Sequence, residues 1–579
     1  MRRMDALGQQ ITTDVLVIGG GLSGMLAAIK AREKGVDVLV VDKGGTGWAG
    51  QMPVTGGYSM FLFPDHFEEW FTWMVESGEY LNNQEWTSLY GKENHDAISE
   101  GVDLGLPFDM TEGRVTVIHR DRHYTTARYD QDKFLLRLKS AAAKKGVRLM
   151  DKIFMVDLLH EDGKVAGAVG FGLIDGKTYI LKAKATIIAN GGCMPQAHRF
   201  FVVNTGEGVA MAYRAGAELM NVEFGGGYGF GYKEGEIRRR SPTYLFYENS
   251  LGERFMGKYY PELMSGFQSG KEMGGFFPII DAMAKEIRAG RGPLTIDFRN
   301  LTPEEKEIAL RYQSLPRDEG TALGSDFLKF LRENTTLNPD ENKIEVEIQR
   351  YDGPGPIRVD LECKTTVEGL WAVGDACTQG SGCFGATGIG QYPGNGVSFA
   401  MVSARIGGRS AGEYAAISPE ARVNDRDVKR IVNRMLAPLN RQSVLSLDTV
   451  LYQIQETIIP IESYLYREAG RLNKSLAKID EAIGRLVELG ASDFHELHRY
   501  HQGRSMALIA KLSLTSALLR EESRGNHIRE DFPDRDNNKW LKWIVIKDDE
   551  GEPGFFIEPI PLEKYRLKSR LTKASGTSS

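Results

Sequence analysis

The residues with the clearest chemical spacing are Gly19, Gly21 and Gly24, a G-x-G-x-x-G set between the apolar run VLVI and a helical stretch beginning LSGMLAAIK. A phosphate-cradling turn requires this pattern. The first glycine permits the tight turn, the second lets backbone approach a pyrophosphate, and the third lets helix and strand pack closely. Leu22 and Ser23 open the helix, whose amides and positive dipole end would take the pyrophosphate. Asp42, closing the next apolar run, would accept from ribose hydroxyls. The motif predicts dinucleotide binding and by itself leaves NAD and FAD open.

The elements that must position this loop read as strand, turn, helix, strand over DVLVIGGGLSGMLAAIKAREKGVDVLVVDKG. A mixed segment follows, whose aromatic stripe Phe67, Trp70, Phe71 and Trp73 reads as core, and the basic helix DKFLLRLKSAAAKKG closes it. Short strands then alternate with turns at Glu161-Asp162-Gly163 and Asp175-Gly176, an inserted antiparallel sheet that returns to the parallel one. Residues 226–349 change to Gly, Tyr, Arg and Pro, as expected of a capping domain inserted into the first. After 416 the apolar spacing is helical. The reading is an α/β fold: a Rossmann-like FAD-binding domain with a parallel sheet (1–225 and 350–415), an α+β capping domain (226–349), a helical domain (416–545) and a C-terminal extension (546–579). The polar end RLKSRLTKASGTSS is expected to be disordered.

Composition narrows the function. A chain of 579 residues exceeds one core, and a net charge of −6 offers no broad attraction to nucleic acid. MRRMDALGQQ lacks the apolar run of a signal peptide and no stretch is long and apolar enough to span a bilayer, so a cytoplasmic location is expected. The four cysteines, at 193, 363, 377 and 383, form no Cys-x-x-Cys and predict no metal site; any iron–sulfur centre would sit on another chain. Cys377 and Cys383 are expected to be buried free thiols.

Four further segments, ATIIANGG (185–192), NTGEGVAMAYRAGAEL (204–219), GLWAVGDA (369–376) and ESRGNHIREDFPDRDNNKW (522–540), resemble the succinate dehydrogenase, fumarate reductase and adenylylsulfate reductase flavoprotein family. The resemblance spans nearly the whole chain. It implies FAD rather than NAD, with Gly374 and Asp375 at the ribityl chain and Gly394, Asn395, Gly396 and Val397 beside the isoalloxazine. Lys43, Gly50, Ala189 and Gly191 complete the implied cofactor set. The helix after Gly394 would point its amides at the reduced ring. Relatives that hold flavin covalently carry a histidine in a Ser-His-Thr context; KGGTGWAGQMPVTGG has none, so noncovalent FAD is expected.

The same resemblance marks departures. Where the family has Phe-His-Pro-Thr-Gly this chain has Phe224-Gly225-Gly226-Gly227, and its proton-shuttling arginine falls on or near Phe276. Arg-Leu-Gly-Gly-Asn-Ser becomes Gln391-Tyr392-Pro393-Gly394-Asn395-Gly396, and the His-Tyr region becomes Arg350-Tyr351-Asp352-Gly353-Pro354-Gly355-Pro356-Ile357. A dicarboxylate would be left unpaired in a desolvated pocket, at a cost of several kcal/mol, so succinate and fumarate are not the expected substrates. Tyr351, Arg350 and His123 are the candidates for proton transfer beside the flavin. Tyr228, Tyr232, Arg358 and the triple arginine 238–240, itself more readily a solvated patch, suit an aromatic or anionic substrate. The leading expectation is a flavoprotein subunit of an oligomer, passing electrons between a small-molecule substrate and a ferredoxin-like iron–sulfur partner. A stand-alone soluble flavin enzyme, a non-catalytic electron-transfer flavoprotein and an adenylylsulfate reductase alpha-like subunit remain open.

Overall fold

The computed structural model describes residues 7–55, 57–119, 123–193, 204–225, 228–233, 242–262, 264, 277–310, 325–334, 336–350, 353–388, 391–392 and 394–568. Its principal sheet has seven strands. These are β1 (Gln9–Ile18), β2 (Val38–Asp42), β3 (Arg148–Asp151), β4 (Ile153–Glu161), β5 (Lys164–Gly172), β6 (Thr178–Ile188) and β7 (Leu370–Ala372). The order is β3-β2-β1-β6-β5-β4, with β7 also on β6. The pairs β3–β2, β2–β1, β1–β6 and β6–β7 are parallel, and β5 is antiparallel to both β6 and β4. Both faces of the parallel part are covered, which is why β2 reads VLVVD with every residue buried. The β4–β5 hairpin turns through Asp162 and Gly163 at φ of 50° and 84°, as the Asp-Gly pair predicts.

Register brings the strand ends to one level. Ile18 lies opposite Val41 and Ile188, and Ile188 opposite Ala372, so four parallel strands finish together and open a crevice at their carboxyl ends. Helix α1 (Leu22–Arg32) runs back from this crevice with all but its last residue buried. It is sandwiched between the sheet and α4 (Asn395–Ile417). The two helices approach through small residues: a Cβ on Gly408 would lie 2.3 Å from the Ala27 carbonyl, and one on Gly412 2.9 Å from Ala31 Cα. Helix α2 (Gln84–Asp103) flanks α4, its N-terminus capped by the Asn83 side chain. In the aromatic stripe Trp70 and Phe71 are buried, and Phe67 and Trp73 pack half-buried against the core.

A separate three-stranded antiparallel sheet, Tyr228–Tyr232, Ile344–Arg350 and Leu294–Ile296, lies in the segment read as a cap, with the helix Phe277–Arg288 packed on it. The C-terminal third is helical, as its spacing predicts: Asp425–Leu436, Leu447–Ile458, Ala469–Glu488 and α5 (Phe494–Leu519). The hairpin Lys542–Asp549/Glu552–Pro559 pairs with Leu219–Met220; its first strand runs through residue 546, where the C-terminal extension was expected to start. The pairing of Leu219 with Ile546 holds that strand to the first domain. The polar tail from 569 lies outside the described residues. Among those described, no helix is long and apolar enough to cross a membrane.

The ESRGNHIRED segment after α5 forms a buried ionic cluster. Arg520 Nε lies 2.9 Å from a Glu223 carboxylate oxygen and its other nitrogen 3.0 Å from Glu522, which also holds Arg524 at 2.7 Å; all four side chains are inaccessible. Burial pushes the His527 imidazole far below its ordinary value, so it is neutral. Its Nε2 donates to the Arg520 carbonyl at 3.0 Å, while Arg467 donates to Nδ1 and, at 2.9 Å, to the Glu223 carbonyl. Single opposite charges are thus shared across a network, which a desolvated ion requires.

Candidate cofactor and active site

Gly19 and Gly24 sit where a side chain cannot. Gly19 (φ +115°) donates its N–H to the Val41 carbonyl at 2.9 Å, and a Cβ there would lie 2.5 Å from the Ala189 carbonyl. A Cβ on Gly24 would lie 1.8 Å from the Gly19 carbonyl, so α1 rests directly on the turn. Gly21 caps α1 with no side-chain hydrogen bond, and across from it a Cβ built on Gly50 would come only 3.7 Å from Gly21 Cα. Two bare backbones facing each other above an uncapped helix start make a cradle that any Cβ would begin to fill. Such a cradle suits a pyrophosphate.

Asp42 accepts the Gly20 and Gly44 N–H groups at 2.6 Å each, one on each carboxylate oxygen, which fixes the carboxylate at the strand end and leaves lone pairs for ribose hydroxyls. Lys43 reaches Glu207 at 2.7 Å and Thr205 at 3.2 Å, and Gln502 of α5 joins Thr205 at 3.0 Å. Glu207 opens helix α3 (Glu207–Arg214). This chain of contacts ties the end of β2 to the helical region. Sequence reading missed it, since its members lie far apart in sequence.

Gly374 (φ +64°) leaves β7 so close to α1 that a Cβ would lie 2.5 Å from Ser23 Oγ, and its N–H donates to Ser403 of α4 at 2.9 Å. Asp375 follows. It keeps some exposure, yet the surrounding protein desolvates its carboxyl and pushes its pKa up to about 7. Gly394 (φ +80°) caps α4, again with no side-chain bond, and its carbonyl accepts the Met60 N–H at 2.9 Å. Gly21, Lys43, Gly50, Gly191, Asp375, Gly394, Gly396 and Val397 are partly exposed between buried neighbours. They follow the ends of four parallel strands or open α4, and they bring two helix N-termini and one protonatable carboxyl to the crevice. Among the described residues, no group of His, Cys, Asp and Glu could hold a metal. The four cysteines are buried and unbridged.

The segment Gly353–Pro356 packs against the turn that follows β7. The Gly355 carbonyl accepts the Gln379 N–H at 3.0 Å and its N–H donates to Gln379 Oε1 at 2.7 Å. Pro354 and Pro356 carbonyls accept from Cys193 at 3.0 Å and Met220 at 2.7 Å. A Cβ on Gly355 would lie 1.5 Å from the Asp375 carbonyl, and one on Gly225 2.2 Å from Pro354 Cβ. The volume that a side chain at 225 needs is therefore occupied.

Of the proton-transfer candidates, His123 is half-buried and stacked on Trp73, ring centroids 5.1 Å apart and 10° between planes. Tyr124 (5.4 Å) and Tyr392 (5.0 Å, edge-on) complete an aromatic group around Trp73, and Tyr392 stands just before the start of α4. The backbone of Arg350 pairs with Tyr228; its side chain, Tyr351, Phe276 and the triple arginine lie outside the described residues. Arg358 does not face the crevice: it pairs with Glu218 and Glu558, each at 2.8 Å. Tyr232 is buried in the small sheet.

A glycine turn, two bare helix starts and an acid at the end of the second strand are the arrangement that a dinucleotide cofactor requires. The family model described as the FAD binding domain matches residues 14–309, and the fumarate reductase flavoprotein C-terminal model matches 457–572. The chain belongs to the FAD-binding flavoprotein family of succinate dehydrogenase and fumarate reductase, and it is an FAD-dependent oxidoreductase. An uncharacterized FAD-dependent oxidoreductase of Methanocaldococcus jannaschii is 28% identical over 92% of this chain and 96% of that one. The succinate dehydrogenase flavoprotein of Rickettsia conorii is 26% identical, covering 93% of each chain. A mutant E. coli quinol fumarate reductase chain shares the fold at a TM-score of 0.81 and 21% identity, covering 97% of this chain and 98% of that one. Adenylylsulfate reductase of Archaeoglobus fulgidus does so at 0.72 and 20%, covering 95% and 96%.

Proposed function

We propose that the chain is the catalytic flavoprotein subunit of an oligomeric two-electron oxidoreductase. Its substrate is a planar or aromatic anion rather than succinate or fumarate, and its electrons pass to a separate iron–sulfur subunit. The observation that carries the substrate reading is position 225, where Pro354 fills the volume of the carboxylate-binding histidine found in dicarboxylate enzymes. Gln391 in place of an arginine and the aromatic group Trp73, His123, Tyr124 and Tyr392 support it. Bound FAD supplies hydride exchange at its ring. The protein's own part is to hold the pyrophosphate on α1, the ribityl chain at Asp375 and the ring at the start of α4, and to exchange a substrate proton through His123, with Arg350 and Tyr351 as the other candidates. With no histidine in KGGTGWAGQMPVTGG, the flavin is held without a covalent bond. The iron–sulfur partner follows from family pairing and from the lack of a cluster motif in this chain.

The test is anaerobic purification of the native assembly, with iron and sulfide assayed and the flavin absorbance followed during addition of succinate, enoates, aromatic acids and adenylylsulfate. Bleaching by an aromatic or other non-dicarboxylate substrate is expected. Bleaching by succinate at low concentration defeats the substrate reading, and an iron-free assembly with full turnover defeats the partner.

A further inference from the structure

Away from the cofactor crevice, a small open cleft lies where β4, α3, the Asp425–Leu436 helix and α5 meet. Three of these elements are helices, and each sends one arginine to it: Arg214, Arg434 and Arg504. The acids do not balance them. Asp157 is shared by Arg214, at 3.2 Å, and Arg434, while the other lining acid, Glu207, already holds Lys43 at 2.7 Å. His501 adds no charge at neutral pH: its Nε2 meets the Met435 carbonyl at 3.0 Å, and burial pushes its pKa down to about 3. Arg504 makes no ion pair or hydrogen bond among the described residues and feels Asp157 only at longer range, Arg214 and Arg434 opposing it; its guanidinium lies 6.0 Å from the Tyr500 ring. Three guanidiniums thus share one carboxylate, Asp157.

Like charges held together beside apolar surface repel more strongly than they would in water, and among the described lining residues only Asp157 offsets them. We propose that the cleft binds a tetrahedral oxyanion, the phosphate or sulfate group of a free ion or of a small ester, with Arg504 as its principal ligand and Arg214 and Arg434 beside it. Planar guanidinium forks suit such a group. Because the three arginines come from both the sheet-associated α3 and the C-terminal helices, the bound anion would cross-link them, and Glu207 places the cleft one contact from Lys43 at the cofactor crevice.

The test uses the full-length FAD-loaded protein, so that the pyrophosphate site is filled. Its thermal midpoint is followed against inorganic phosphate, sulfate or AMP, with chloride holding ionic strength constant. A saturable rise is expected with one of them, as for a ligand that binds only the folded state. Arg504→Gln, at an exposed position with no internal bond to lose, should weaken the apparent affinity at least about tenfold, while Arg430→Gln, outside the cleft, should keep it. Saturation by phosphate or sulfate identifies a free ion; saturation by AMP alone identifies an ester. A linear, unsaturable rise, or one unchanged in Arg504→Gln, overturns the proposal.

Discussion

The cofactor crevice and the buried ionic cluster beside Glu223 solve opposite problems. At the crevice, precision comes from atoms that are missing: Gly19, Gly24, Gly374 and Gly355 leave no room for a Cβ, so backbone packs directly on backbone and side chain. In the cluster, precision comes from full charges taken out of water and held by one another, with Arg520 shared between Glu223 and Glu522. The first tolerates no added carbon, and the second tolerates no removed charge.

The sharpest way to break this comparison is to add one methyl at the crevice. Gly24→Ala, with its Cβ 1.8 Å from the Gly19 carbonyl, should yield protein lacking nearly all its FAD, measured as the flavin-to-protein absorbance ratio. Retention of full flavin would mean that α1 can slide. Next in size, Arg520→Met strands the buried Glu223 carboxylate, Glu522 keeping Arg524, and should cost about 3–5 kcal/mol in urea unfolding. A change below about 1 kcal/mol would show that water enters the cluster.

Gly225→His tests whether the filling of position 225 is reversible. It should destabilise the protein by about 1–3 kcal/mol through overpacking on Pro354, and succinate should still fail to bleach the flavin. The smallest effect concerns Asp375. Its folded pKa, near 7, lies above the unfolded value, so rising pH favours the unfolded chain, where the carboxyl ionises first. Stability of flavin-free protein should fall between about pH 4 and 7 and then level off, and Asp375→Asn should remove about 1–2 kcal/mol of that fall, since partial solvent access reduces the full effect. An unchanged slope would place the titration elsewhere.

These two regions were unequally legible in the sequence. A backbone-built site writes its constraints locally: the glycine spacing, VLVVD and the bare Gly394-Asn395-Gly396 turn each mark their place in a few consecutive letters. The parallel sheet, the β4–β5 hairpin and the C-terminal helices were readable for the same reason. Side-chain networks are written at a distance. Nothing near Lys43 points to Gln502, and nothing near Glu223 points to Arg520, although the run ESRGNHIRED signals that charges are gathered. Arg358 illustrates the limit: near the crevice in sequence, it is spent on Glu218 and Glu558 because strand pairing turns it toward the C-terminal hairpin. The filling of position 225 was also hidden, since loss of a histidine is visible in one letter but the proline that takes its space lies at 354.

The clamp on Gly353–Pro356 has a mechanical consequence. The chain returns from the inserted sheet through this segment, and carbonyls on three successive residues are tied to Cys193, Gln379 and Met220, with Gly355 seated on the Asp375 backbone. A tether fixed at so many points behaves as a pivot, not a slack cord. The inserted sheet is therefore held at this end by backbone bonds to three separate parts of the first domain, and a change in any of them reaches it through the same short segment.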